Sequence, residues 1–201
     1  MMETMERKAV ITRKTGETDI TLKLVLGGSE TSRIISGVPF FDHMLDAMSR
    51  HGRFHIDLEC RGDYAVDDHH SIEDIGICLG KAFKRALGDK AGITRFGEAS
   101  VPMDDALTQC VVDLSGRSFF QYTGTELTGY INRYHEELTL EFLRAFADNG
   151  DLNLHIRQLY GENRHHIHES IFKALGIALF RAWRIDETLG GAVPSTKGTI
   201  A

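Results

Sequence analysis

His69-His70-Ser71-Ile72-Glu73 and His165-His166-Ile167-His168-Glu169 spell one cluster, H-H-x-x-E, twice in the chain. The offset between the copies is constant, since 165 − 69 = 96 and 169 − 73 = 96. On a helix, positions i and i+4 stack on one face. His69 and Glu73 therefore project together, with His70 a step round the cylinder, and His165, Glu169 and His166 repeat the pattern. Imidazole with carboxylate is a ligand set for a divalent ion such as manganese, iron or zinc, and two copies suggest two ions. Adjacent helical residues point about 100° apart. Each histidine of a pair therefore serves a different ion, and the two clusters share two ions in a crossed arrangement. Spacing leaves open whether they meet within one chain or across a subunit interface.

Working outward, the flanking segments repeat as well. Lys8 to Ile11 and Thr18 to Leu26 read as strands about the turn Lys14-Thr15-Gly16-Glu17. Pro39 to Arg50 has Phe41, Leu45 and Met48 at helical spacing, and Phe54 to Cys60 alternates as a strand. Polar Arg61 to Asp68 delivers His69 to a helix that runs from Ser71 to Leu87 and ends at Gly88. The second half replays the order. Cys110 to Leu114 and Phe119 to Tyr122 read as strands around Ser115-Gly116-Arg117. Glu136 to Ala147 reads as a helix, Leu152, Leu154 and Ile156 as a strand, and a last helix carries His165 and runs through Ile171 to Trp183. Strands, helix, strand, helix, repeated, predicts an α+β fold of two similar halves, about 1–95 and 96–201, packed as one domain with two-fold pseudosymmetry. The duplication pairs His43, in Phe41-Asp42-His43-Met44-Leu45, with a position near Glu141.

Composition bounds the function. At 201 residues the chain can bury a real core. A net charge of −6 argues against nucleic acid as the main partner. Met1 to Lys14 has no apolar core, so no signal peptide is read, and Ile171 to Trp183 is too short and too charged to span a bilayer. Cys60, Cys78 and Cys110 are odd in number and lack C-x-x-C spacing, which fits a reducing cytoplasm. Ten histidines, against one Trp and three Pro, are the unusual count. His51, His55, His135, His155 and His168 read as satisfied or solvated side chains. A di-iron four-helix bundle uses Glu-x-x-His in the reverse order and has too few strands, and neither a zincin motif nor a Walker loop is present. Arg95, Arg117 and Lys197 sit at turns with glycines and hydroxyls nearby, notably Pro194-Ser195-Thr196-Lys197-Gly198, a pattern suited to phosphate.

Taken in order, Phe41-Asp42-His43-Met44-Leu45-Asp46, Asp67-Asp68-His69-His70-Ser71-Ile72-Glu73-Asp74, Val101-Pro102-Met103-Asp104-Asp105-Ala106-Leu107, Asp113-Leu114-Ser115-Gly116-Arg117, the second cluster and Pro194 to Gly198 closely resemble the imidazoleglycerol-phosphate dehydratase family over essentially the whole chain. The resemblance implies paired halves like the second domain of ribosomal protein S5. It implies a hydro-lyase of histidine biosynthesis that converts D-erythro-imidazoleglycerol phosphate to imidazole acetol phosphate plus water. It also implies two divalent ions, Mn²⁺ foremost, at subunit interfaces, and trimers assembling into a 24-subunit shell. Carried over residue by residue, the metal ligands are His43, His69, His70, Glu73, His165, His166 and Glu169. Glu141 stands where members often have His, and the resemblance implies that its carboxylate takes that ligand's place, a donor manganese accepts. The resemblance gives Glu17 as the catalytic acid–base residue and Arg95, Arg117, Ser195 and Lys197 as phosphate contacts. Asp68 departs from a third consecutive His and falls outside the ligand set.

The reaction explains the ligand types. The proton to be lost is not alpha to a carbonyl, and general-base catalysis contributes only roughly 10²–10⁴-fold. The substrate's imidazole is the available electron sink. Held as a metal-bound imidazolate it can expel the neighbouring hydroxyl through a diazafulvene-like intermediate, after which a carboxylate removes the carbon proton. A di-metal hydrolase and a metal-storing shell protein remain the competing functions.

Overall fold

The computed structural model describes residues 7–28 and 30–200, so part of the N-terminal stretch read above lies outside the described residues. Its first half runs β1 (Lys8–Lys14), β2 (Thr18–Leu26), β3 (Arg33–Ile35), α1 (Pro39–Gly52), β4 (Phe54–Gly62) and α2 (His69–Leu87). Its second half runs β5 (Phe96–Met103), β6 (Ala106–Asp113), β7 (Phe119–Thr123), the short β8 (Tyr130–Ile131) and β9 (Tyr134–His135), α3 (Leu138–Gly150), β10 (Asn153–Tyr160) and α4 (Arg164–Trp183). The sheets have matching orders, β1-β2-β4-β3 and β5-β6-β10-β7. Their registers match too: Ile20 faces Cys60 in the first and Cys110 faces Ile156 in the second. The α+β class and the pair of sheet-plus-helix halves are thus as expected.

Each helix follows from local signals. Pro39 occupies the first turn of α1, where its missing N–H costs nothing. Arg53 ends that helix at φ 51, with its N–H on the Arg50 carbonyl. Asn163 caps α4 by accepting from the His166 N–H. Helices α1 and α2 cover the first sheet, and α3 and α4 the second. The halves then face each other crosswise, α2 on α3 and α1 on α4. Rings from all four helices meet at this joint. Phe41 stands edge-on to Phe142 at 5.0 Å, Phe142 stacks on Phe172 at 5.7 Å, and Phe83 meets Phe146 at 5.5 Å. All five are fully buried, each contributing about 1.5–3 kcal/mol. The crossings are close because Gly80 and Gly176, again 96 apart, sit where α2 meets α3 and α4 meets α1. A Cβ at Gly80 would stand 2.5 Å from the Phe146 carbonyl, and one at Gly176 would collide with the Met48 carbonyl.

Four details differ from the sequence reading. Helix α2 begins at His69, so both of its histidines lie in the first helical turn. Helix α3 begins at Leu138, and Glu136 instead is wholly buried against Arg164 at 3.2 Å. Ser115 to Arg117 does not close a hairpin. Strand β7 pairs in parallel with β10, so this segment is a crossover between non-adjacent strands. Strand β5 was not read, because its two buried positions are the small Gly97 and Ala99, which let α4 lie directly on the sheet.

Candidate active site

The crosswise contact of α1 on α4 brings one half's histidine to the other half's cluster. His165 Nε2 lies 3.2 Å from Glu169 Oε2, and His43 Nε2 lies 3.9 Å from the same oxygen. Donor atoms of all three fall within 4.8 Å of one another, the one such group among the described residues. Glu169 is 9% exposed, and its other oxygen meets Lys173 Nζ at 2.7 Å. Burial alone would raise its carboxyl. The Lys173 hydrogen bond and charge, with His43 and His165, outweigh this and hold it below the usual carboxylate range. The anionic form needed to bind a cation is thereby kept.

The first cluster is built alike but stays open. His69 Nε2 lies 3.9 Å from Glu73 Oε2. Glu141, half-buried in the first turn of α3, does not join them, and its side chain has no hydrogen bond or ion pair among the described residues. None of His69, His70, Glu73 and Glu141 reaches the group of His43, His165 and Glu169 within this chain.

The second histidine of each pair turns away, as helical spacing requires: the rings of His69 and His70 stand at 88°, those of His165 and His166 at 81°. His70 Nδ1 meets Asp63 Oδ2 at 3.0 Å while Nε2 faces Glu17 Oε1 at 3.7 Å. His166 Nδ1 meets Asp105 Oδ1 at 2.6 Å while Nε2 faces Asp104 Oδ2 at 3.6 Å. A carboxylate on Nδ1 fixes the tautomer and orientation of an imidazole whose Nε2 is offered outward. The Asp63 hydrogen bond raises the His70 imidazole above its ordinary value, against partial desolvation, with Glu17 and Asp67 adding charge. Asp105 is held well below the carboxylate range by the N–H groups of Asn163 and Glu162 and by His166. Asp63, Asp104, Asp105 and Lys173 were all missed in the sequence. Of the aspartates, Asp63 alone carried a local signal, as an acid in the loop leading to His69 and His70, whereas Asp104 and Asp105 reach His166 from the distant β5–β6 turn.

Arg95, Arg117, Ser195 and Lys197 share a cavity of about 340 Å³ with Ser115 and Thr196. Arg95 is held in a bidentate grip by Asp113, with Nε to Oδ1 at 2.7 Å and Nη2 to Oδ2 at 3.1 Å, and its Nη1 donates to the Pro194 carbonyl at 2.9 Å. That last bond draws the C-terminal segment over the cavity. Asp68, at the start of α2, pairs with Arg133 at 3.2 Å rather than with the cluster. His168 is fully buried, its Nδ1 on Thr139 Oγ1 at 2.9 Å, a structural side chain.

Fold and site together define a duplicated α+β protein with a histidine–carboxylate cluster and a cavity lined by Arg95, Arg117 and Lys197. Residues 36–179 match the family model described as imidazoleglycerol-phosphate dehydratase. The dehydratase of Leptospira biflexa serovar Patoc is 52% identical over 196 residues, covering 98% of this chain and 100% of that one. That of Magnetococcus marinus is 49% identical over 197 residues, covering 98% and 100%. The crystal structure of the Staphylococcus aureus dehydratase superposes with a TM-score of 0.81 at 33% identity, covering 89% of this chain and 99% of that one. That from Pyrococcus furiosus superposes at 0.80 and 35%, covering 94% and 99%. The chain belongs to the imidazoleglycerol-phosphate dehydratase family and is a hydro-lyase.

Proposed function

We propose that this chain converts D-erythro-imidazoleglycerol phosphate to imidazole acetol phosphate and water in histidine biosynthesis, with two bound divalent ions. The observation that carries the reading is the convergence of His43, His165 and Glu169 on one point, from two halves of the chain. Two imidazoles and a carboxylate suit Mn²⁺, and three donors leave such an ion short of ligands. We assign the remaining places to His69, His70, Glu73, Glu141 and His166, with a neighbouring copy supplying what one chain holds apart. This is also the reason to expect self-association, through trimers, into a 24-subunit shell. When bound, the ions supply Lewis acidity at the substrate's ring nitrogens, making the ring the electron sink of the elimination.

The chain's own residues do the rest. Asp63 and Asp105 hold Nδ1 of His70 and His166, leaving Nε2 of each free to donate its lone pair. Glu17 Oε1, facing His70 Nε2 at 3.7 Å, takes the carbon-bound proton. Arg95, Arg117, Ser195 and Lys197 hold the phosphate and so fix the chain end relative to Glu17, lowering the orientational cost. Asp113 keeps Arg95 aimed. No helix among the described residues is long and apolar enough to cross a membrane, and we place the enzyme in the cytoplasm. Incubation of the Mn²⁺-loaded protein with imidazoleglycerol phosphate tests the reading. Product lighter by one water with phosphate retained supports it, and release of inorganic phosphate would instead indicate a hydrolase.

A further inference from the structure

Asp74 follows the cluster residue Glu73 on α2, is 5% exposed, and faces the first hairpin from the same side of the helix as His70, four residues earlier. Its Oδ2 accepts from Thr18 Oγ1 at 2.5 Å and its Oδ1 pairs with Arg13 Nη2 at 2.8 Å. Ionised, a carboxylate can only accept. The single hydroxyl proton of Thr18 is therefore committed to Asp74. Thr15 Oγ1 lies 3.2 Å from Thr18 Oγ1 and so must be the donor of that pair. The lone pairs left on Thr15 Oγ1 take the backbone N–H of Glu17 at 3.1 Å and of Thr18 at 3.0 Å. The result is a one-way chain of donors, from the Glu17 N–H through two hydroxyls to a buried, charged acceptor, and such chains reinforce themselves.

The second half shows what a structural version of the same joint looks like. Ile20 and Cys110 are register equivalents, so Thr18 corresponds to Thr108, and the offset of 96 between the two clusters pairs Asp74 with Ser170. Thr108 Oγ1 meets Ser170 Oγ at 2.7 Å. The partner of Ile20 across the hairpin is Arg13, and the partner of Cys110 is Ala99. One half thus joins hairpin to helix by two neutral hydroxyls, the other by a carboxylate–arginine pair. The charged version lies in the half whose hairpin carries Glu17.

We infer that Asp74 is a positioning residue, which through Thr18 and Thr15 locks the Glu17 turn to the helix that bears His69, His70 and Glu73. The inference rests on the reading of Glu17 as the base. Its function is to hold Glu17 at a fixed distance from the donors of α2, so that base and ring clamp act on one substrate.

The test uses the assembled, Mn²⁺-loaded enzyme. Asp74→Asn and Thr18→Val should each lower kcat by about tenfold or more, with KM and bound metal unchanged. Thr18→Ser, which keeps the hydroxyl, should restore turnover. In a Glu17→Gln background, Asp74→Asn should lower the residual rate no further. Loss of metal in Asp74→Asn, or the same fractional loss with and without Glu17, would overturn the inference by making Asp74 a support of the helix alone. If Asp74→Asn does not fold, the contrast between Thr18→Val and Thr18→Ser decides, and equal activity of the two would overturn it. Glu17→Gln with normal turnover would remove the base assignment itself. An inactive Glu17→Gln beside fully active Asp74→Asn would remove only the positioning role.

Discussion

His43 Nε2 lies 3.9 Å from Glu169 Oε2, although the two residues come from different halves of the chain. The contact exists because α1 packs on α4, so cluster and interface are one construction. His43→Ala and Glu169→Gln should each lose metal, measured as bound Mn²⁺ per chain after dialysis, while the circular dichroism of the fold is kept. Lys173→Met should weaken metal binding by about 10–100-fold, since it leaves Glu169 without the partner that orients it.

Acid should destabilise the protein in a defined window. His168 is fully buried, and burial, with the charges of Arg164 and His165, pushes its imidazole down to about 3. The unfolded chain protonates this side chain below its ordinary value of about 6.5, while the folded chain does not. Stability is therefore intact above about pH 6.5 and falls as pH drops towards 3. Thermal midpoints of the wild type should decline through that range, and those of His168→Phe should decline less steeply, although the swap costs about 1–3 kcal/mol at Thr139.

The anion cavity makes a kinetic prediction. Charged hydrogen bonds contribute about 1.5–3 kcal/mol each, so Arg117→Gln and Lys197→Met should raise KM by roughly 10–150-fold. Asp113→Asn should raise KM although it touches no phosphate, because it frees the guanidinium that Asp113 now grips. Steady-state kinetics separate these effects from loss of kcat.

Gly176→Ala should cost about 1–3 kcal/mol in chemical denaturation, because its Cβ meets the Met48 carbonyl across the joint of α1 and α4. Gly190→Ala, in open space at the surface, tests position rather than residue type: it has only its φ of 56° to accommodate.

Helices were legible because their buried faces are bulky: Phe41, Leu45 and Met48 repeat at helical spacing and all are fully buried. Strand β5 was not, since its buried positions, Gly97 and Ala99, offer no bulky side chain to mark the inward face. The strands read around Ser115 to Arg117 are both present, but they do not pair with each other, because β10 lies between β6 and β7. The doubled clusters were read directly, since i and i+4 spacing is local. Which elements meet is not local. Spacing could not show that His43 faces His165 and Glu169, nor that Asp63 and Asp105 each take an Nδ1. Glu141 was reached by counting from His43 and by the family resemblance, and the structure leaves it outside the closed group.

Metal dependence of turnover bears most directly on the central assignment. Protein stripped with a chelator should not dehydrate imidazoleglycerol phosphate, and titrating Mn²⁺ back should restore turnover in step with binding, saturating near about two ions per chain. Full turnover by protein shown to hold no divalent ion would contradict it.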